Sequence, residues 1–241
     1  MPLEIVLVRH GQSEGNRDRV FTGHGPSALT ELGQRQAEAT ARAIWARAEK
    51  TAMTSPGSIA SIASSGSSGS IASLGPIAAI YSSDLPRARS TALPLARLAG
   101  LPLIETEALR ERGVGVLENL SFEEVQERYP GAWDSLIARD PTYAPPGGES
   151  HQGCALRVAR FLNDLCARHP EGRVVCFSHG VAINHVLRHV VGVDPTAQPR
   201  FFFMVENCSL HRLRRDPDGL FRILATNDVA HLAAADLLSH G

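Results

Sequence analysis

The sequence predicts an α/β protein: a three-layer sandwich with a mostly parallel central sheet covered by helices on both faces. Two patterns and one quantity carry that expectation. Apolar runs of strand length alternate with stretches of helical periodicity. Turn chemistry, such as Asp216-Pro217-Asp218-Gly219, punctuates the joins. A chain of 241 residues with 43% hydrophobic side chains is long enough to bury one substantial core, which excludes fibrous and wholly disordered classes.

The elements follow in chain order. LEIVLV at 3–8 is a continuous apolar run and reads as a buried strand. From Thr30 to Glu49, Leu32, Ala37, Ala41, Ile44 and Ala48 recur at helical spacing. No charged residue then occurs between Lys50 and Asp84, and residues 54–75 are dominated by serine and glycine, the composition of a flexible insertion. The residues before it supply only one strand and one helix, too little for a core, so residues 1–241 read as a single interrupted domain. Residues 77–82 give a second strand, and Leu85 to Leu98 a helix bent by Pro94. A short third strand lies at 101–105. Ser121 and Glu124 form a capping box that opens a helix to about Tyr129. Gly153 to His169 places Leu156, Phe161, Leu162 and Leu165 on one helical face. Residues 173–178 form a fourth strand, followed by a helix from Gly180 to Val191. SLHRL at 209–213 and LFRIL at 220–224 read as an antiparallel hairpin.

Twenty-four basic and 25 acidic side chains give a net charge of -1, so no global field recruits nucleic acid or an anionic membrane. Any anion site must be local. Lys50 is the only lysine, and arginine, whose fork suits phosphate, fills the other basic positions. Cys154, Cys166, Cys176 and Cys208 lie far apart without a CxxC pair and read as core residues. No run approaches ~18 apolar residues, so the expectation is a soluble cytoplasmic protein with no membrane partner.

In a parallel sheet, ligands bind beyond the carboxyl ends of the strands, and the residues there are informative. The first strand ends in Arg9-His10-Gly11 and the second in Ser82-Ser83-Asp84, with Arg87 one turn on. The third leads to Arg110-Glu111, and the fourth ends in Ser178-His179-Gly180. Two histidines, two arginines and a carboxylate therefore converge on one sheet edge. Glycine after each histidine admits a large group to the imidazole and lets backbone N–H groups approach an anion. A metal site would want few cationic neighbours, whereas Arg9 and Arg87 repel a divalent cation and attract phosphate, so no metal is expected.

LVRHGQSEGN resembles the signature of the histidine phosphatase superfamily, the phosphoglycerate mutase-like proteins. The likeness continues through FTG at 21–23, LTELGQRQA, SSDLPRARSTA, the LRE of 109–111, PPGGES at 145–150 and FSHG, and spans nearly the whole chain except the insertion. It implies the phosphoglycerate mutase-like fold and no cofactor. It implies that His10 attacks phosphorus and forms a phosphohistidine, while Arg9, Arg87 and a protonated or donating His179 hold the equatorial oxygens. Glu111 is then the general acid, and afterwards the base that activates water. Asn16, Thr22 and Gly23 match positions that contact phosphate oxygens in the family, the backbone at Gly180 and Val181 is expected to add donors at a helix start, and Gly11 completes the expected substrate-binding set. Arg89 is assigned to solvent, and Arg157 and Asn207 to structural roles. Glu14, His24, Arg110, Arg112 and His185 are pocket neighbours without assigned chemistry.

Within the family, Glu111-Arg112 and Gly115 echo the mutase pattern, but Phe122 stands where mutases carry lysine. With fewer cations to retain the product, water wins, and the resemblance favours a phosphomonoesterase acting on a small phosphorylated metabolite. The alternatives are mutase-type phosphoryl transfer and an inactive phosphoester- or partner-binding module, which would lack one of the reacting residues. The segment from Val114 to Glu149 should select the substrate, with Phe122, Tyr129, Trp133 and Tyr143 packing it. Relatives imply a homodimer.

Overall fold

The structure is a computed structural model describing residues 2–54 and 77–239. Apart from Thr54, the Ser/Gly-rich segment expected at 54–75 lies outside the described residues. The helical elements are α1 (Glu14–Arg17), α2 (Glu31–Thr54), α3 (Pro86–Ala99), α4 (Phe122–Arg128), α5 (Pro130–Ile137), α6 (His151–Arg168), α7 (Gly180–Val190) and α8 (Ala230–Ala233). The strands are β1 (Leu3–Arg9), β2 (Ala79–Ser83), β3 (Leu103–Thr106), β4 (Gly172–Ser178), β5 (Leu210–Arg215) and β6 (Phe221–Asp228).

The six strands form one sheet in the order β3-β2-β4-β1-β5-β6. β1, β4, β2 and β3 are mutually parallel, and β5 returns antiparallel along β1 and pairs with β6 as the expected hairpin. Alternation along β1 separates two cores. Leu3, Ile5 and Leu7 face Val158, Phe161 and Leu162 of α6 and Ile183 of α7. Val6 and Val8 face Ala41 and Ile44 of α2 and Ala92 and Leu95 of α3. Burial on both faces explains why β1 and β4 read as unbroken apolar runs. The three layers therefore follow from strand period and helix stripe together.

Several elements differ from expectation. Leu156 is 43% exposed. The buried stripe of α6 instead runs through Cys154, Val158, Phe161, Leu162 and Leu165, and position 156 falls outside it. After the Ser121 capping box, α4 stops at Arg128 and a second helix, α5, starts with Pro130 in its first turn, a segment too short to show a period. Pro94 lies inside α3, which continues to Ala99. All four cysteines are buried and free, as expected of core residues. Tyr129, Trp133 and Tyr143 pack on Val114, Leu117 and Val125 over the sheet edge, whereas Phe122 is half exposed beside Phe21 and Trp133. Among the described residues no helix is long and apolar enough to cross a membrane.

Candidate active site

Register places the two histidines together. In the β1–β4 ladder Arg9 lies opposite Ser178, so the next residue of each strand is a histidine at the same edge. The His10 N–H donates to the Ser178 carbonyl at 3.0 Å, and the two imidazole centroids are 5.1 Å apart. β2 ends beside β4, bringing Ser83 Oγ within 2.8 Å of His179 Nε2. At the second residue of α3, Arg87 is 1% exposed despite its charge.

His10 Nδ1 lies 2.8 Å from the Gly11 carbonyl. A carbonyl only accepts, so Nδ1 carries the proton and Nε2 keeps its lone pair. Burial, then the Arg87 and Arg9 guanidiniums, hold His10 well below the ordinary histidine range. Its neutral form is the nucleophilic one. Burial, Arg87, His10 and Arg9 push His179 down in the same direction, which favours its neutral imidazole. Leu85 N–H donates to Ser83 Oγ, leaving the hydroxyl hydrogen for His179 Nε2. We assign the His179 proton to Nδ1 on that basis.

The surroundings of His10 are short of acceptors. Arg9 Nε, Arg87 Nε and His179 Nδ1 are sealed from solvent and have no partner among the described residues. Buried unmatched donors of this kind are costly, roughly 1–3 kcal/mol each. The rest of each guanidinium is anchored: Arg9 donates to the Val205 carbonyl at 2.6 Å, and Arg87 to the Gly23 and Gly25 carbonyls at 2.7 and 3.3 Å. Burial lowers both arginines, with Glu111 opposing it. Fixed donors without acceptors make a cradle for an oxyanion.

Glu111 enters from the loop after β3. Its Oε1 accepts the Arg112 and Ala182 N–H groups at 2.9 and 3.1 Å, and among the described residues Oε2 accepts only that of Val181, at 3.1 Å. The carboxyl group is thus pinned to the first turn of α7, and Oε2 keeps a lone pair for a proton. A Cβ on Gly180 would lie 3.9 Å from Oε2 and 3.7 Å from Arg9 Nε, so this glycine sits between the acid and the arginine.

The binding positions separate into two groups. Gly11 and Val181 offer no free backbone donor: the Gly11 N–H bonds to Thr91 Oγ1 at 3.0 Å, and that of Val181 to Glu111. Each of these N–H groups already has a partner within the protein. Gly11 is needed for another reason, since a Cβ there would fall 2.5 Å from the Gly33 carbonyl oxygen of α2. Gly23, at φ +44°, supplies the carbonyl that positions Arg87. Asn16 Oδ1 accepts from Ser13 and from Asn207 Nδ2, which also donates to the His10 carbonyl. Thr22 turns its methyl toward Gly15.

Among the neighbours, His24 Nε2 contacts the Glu111 carbonyl at 2.8 Å, Arg110 pairs with Asp84 and Glu107, and Arg112 donates to the Glu149 carbonyl. Glu14 is exposed and leads α1, while His185 lies on α7 against His151. Arg157 binds Glu149 and the carbonyls of residues 108 and 110, and Arg89 is half exposed beside Glu105. A cleft of about 470 Å³ is lined by His24, Arg110, Gly113, Glu118, Glu149 and Arg157, with Arg110 and Gly113 flanking Glu111 in the chain. Gly115 and Gly148 let the 113–116 and 145–149 loops meet backbone to backbone along it. Sequence reasoning missed Ser83 and Thr91 as positioning partners. Their only signal is their place at the end of β2 and one turn beyond Arg87.

A family model described as the histidine phosphatase superfamily (branch 1) matches residues 5–58 and 69–229. The chain is 31% identical over 237 residues to the "Probable phosphoglycerate mutase GpmB" of Klebsiella pneumoniae, covering 96% of each. It is 29% identical over 240 residues to the metal-independent phosphoserine phosphatase of Arabidopsis thaliana, covering 99% of this chain and 87% of that one. A mycobacterial glucosyl-3-phosphoglycerate phosphatase in complex with VO3 shares the fold with a TM-score of 0.71 at 26% identity, over 93% of this chain and 98% of that one.

Proposed function

The chain belongs to the histidine phosphatase superfamily, branch 1, and on that premise we propose that it is a metal-independent phosphomonoesterase. Its substrate is a small phosphorylated metabolite, hydrolysed through a phosphohistidine. The observation that carries this reading is the state of His10: Nδ1–H tied to the Gly11 carbonyl, Nε2 bearing a lone pair, and three unmatched buried polar atoms around it. The names of the phosphatases it resembles support the same reading.

In the first step the His10 Nε2 lone pair forms a bond to phosphorus as the P–O ester bond breaks. Glu111 Oε2 delivers its proton to the departing alkoxide. Arg9, Arg87 and His179 hold the equatorial oxygens, where charge is spread in the transition state. In the second step Glu111, now a carboxylate, takes a proton from water. The water oxygen bonds to phosphorus, the N–P bond breaks, and His10 is regenerated with inorganic phosphate. Gly11, Thr91, Asn207 and Ser83 act by positioning the imidazoles. Gly180, Asn16, Thr22 and Gly23 border the phosphate. The two arginines supply the positive charge that a metal would otherwise provide.

The leaving group occupies the cleft beside Glu111. Its arginines are already paired, Arg110 with Asp84 and Glu107 and Arg157 with Glu149, which favours a polar hydroxylated leaving group over an anionic one. That pairing, with Phe122 at the position of the mutase lysine, supports hydrolysis over retention of product for transfer. The whole chain is read as one domain, and the break in the family match between residues 58 and 69 supports treating the Ser/Gly-rich segment as an insertion in it. We read the protein as cytoplasmic and as a homodimer that engages neither nucleic acid nor membrane.

The test is phosphate release from an aryl phosphate, and then from a panel of metabolite monophosphates, with a chelator present. The reading expects activity in the wild type and none in His10→Ala. Isomerisation of monophosphoglycerate outpacing its hydrolysis, after bisphosphoglycerate priming, would establish the mutase instead.

A further inference from the structure

A second cavity, of about 220 Å³, lies between α6 and the end of α7. Ala155, Leu156 and Ala159 of α6, with Val193 and Pro195 beyond α7, give it mostly apolar walls. Arg188 also lines it, and is 6% exposed. Its Nε is sealed from solvent without a partner, and it forms no ion pair among the described residues. Asp194 also lines the cavity, and its Oδ1 accepts the N–H and hydroxyl of Thr196, both at 2.7 Å. A guanidinium whose Nε is sealed from water without an acceptor is less favourable until an anion supplies one.

The remaining polar groups narrow the choice of anion. His185 faces the cavity and contacts His151 at 3.2 Å. Burial, with Arg188, Arg112 and Arg157 nearby, pushes His185 down to about 4, and it is neutral at neutral pH. His189 is exposed at the rim. One buried guanidinium fork against apolar walls matches a singly charged carboxylate better than a phosphate dianion. The volume is below the ~300 Å³ typical of pockets for drug-sized ligands, which restricts the body to a short chain or a single ring.

We propose that this cavity binds a small organic monocarboxylate, its carboxylate on Arg188 and its apolar body between Ala155, Leu156 and Ala159. The site is distinct from the His10 cluster. Arg188 stands nine residues along α7 from His179, about 13 Å at the helical rise of 1.5 Å per residue. The proposal does not depend on the phosphatase reading.

Calorimetric titration of the full chain with benzoate tests it, alongside benzyl alcohol as the neutral isostere. The expected result is one saturable benzoate site in the wild type and in His10→Ala, with benzyl alcohol at least tenfold weaker. Arg188→Leu, which removes an unpaired buried cation, should melt higher than the wild type and bind benzoate at least tenfold more weakly. Ala159→Leu narrows the cavity but keeps the cation, and should weaken benzoate to a similar degree. Absence of saturable binding overturns the proposal, as does equal affinity for benzyl alcohol. Unchanged benzoate affinity in Arg188→Leu, or in Ala159→Leu should the first variant fail to fold, overturns it as well. Loss of binding in His10→Ala would place the anion at the reaction site and refute a second one.

Discussion

Replacing Glu111 by glutamine separates the proton chemistry from the phosphorus chemistry, because it keeps the side-chain volume and removes the proton. The carboxylate now accepts three backbone N–H groups: two on Oε1, from Arg112 and Ala182, and one on Oε2, from Val181. A glutamine oxygen at the Oε1 position preserves two of these bonds. Its NH₂ then faces the Val181 N–H, donor against donor, at a cost of about 1–3 kcal/mol. The variant should therefore fold, with a lowered melting temperature. General acid catalysis is worth roughly 10²–10⁴-fold, or about 3–5 kcal/mol of barrier. The whole of that factor should be lost on an alkyl phosphate, whose alkoxide cannot leave unprotonated. Dinitrophenyl phosphate needs no acid, so its first step should survive. Its second step still needs the base and should slow. Stopped-flow should accordingly show a burst of dinitrophenol close to one equivalent per enzyme, followed by slow turnover. An equal fractional loss for both leaving groups, with no burst, would refute the role given to Glu111.

Gly11→Ala places a Cβ 2.5 Å from the Gly33 carbonyl oxygen. Relieving the clash pulls the Gly11 carbonyl from His10 Nδ1. Scanning calorimetry should show a loss of about 1–3 kcal/mol of stability, and steady-state assays a fall in kcat of about 100-fold. Ser83→Ala removes the partner of His179 Nε2. It should lower kcat about tenfold or more while leaving the melting temperature within a few degrees, since one neutral hydrogen bond contributes only about 1 kcal/mol. His211 is buried in β5 and pushed by burial down to about 4, below its unfolded value of 6.5. Its contribution to stability is complete above pH 6.5 and lost as pH falls toward 4, because the unfolded chain binds the proton first. The loss approaches ~3 kcal/mol at 1.36 kcal/mol per unit. Denaturant titrations of His211→Gln should show a shallower decline over that window, and an unchanged slope would contradict the assignment.

The sheet was legible because β1 and β4 are buried on both faces and so advertise themselves as unbroken apolar runs. The candidate site residues were legible because a parallel sheet collects the residues that follow its strands. His10, His179, Arg87 and Glu111 all occur within a few residues of a strand end or a helix start. Secondary positioning was not legible, for it depends on pairings between distant segments. The Gly11 N–H finds Thr91 across 80 residues, and the Val181 N–H finds Glu111 across 70. No local pattern encodes either pairing. Asn207 was assigned a structural role, and its bonds to the His10 carbonyl and Asn16 give that role a direct bearing on the site. Leu156 is exposed because the buried stripe of α6 follows Cys154, Val158, Phe161, Leu162 and Leu165, and a leucine at 156 falls outside that helical row whatever its hydropathy. Helix α5 escaped because eight residues carry too little periodicity to separate from a loop.

The central claim is that the His10 imidazole carries the phosphoryl group between substrate and water. Rapid mixing with a radiolabelled phosphomonoester, an alkaline quench and peptide mapping measure it directly. The account predicts acid-labile, alkali-stable label on the peptide containing His10, rising within one turnover and absent from His10→Ala. Turnover at the wild-type rate with no label on that peptide, or label persisting in His10→Ala, would contradict it.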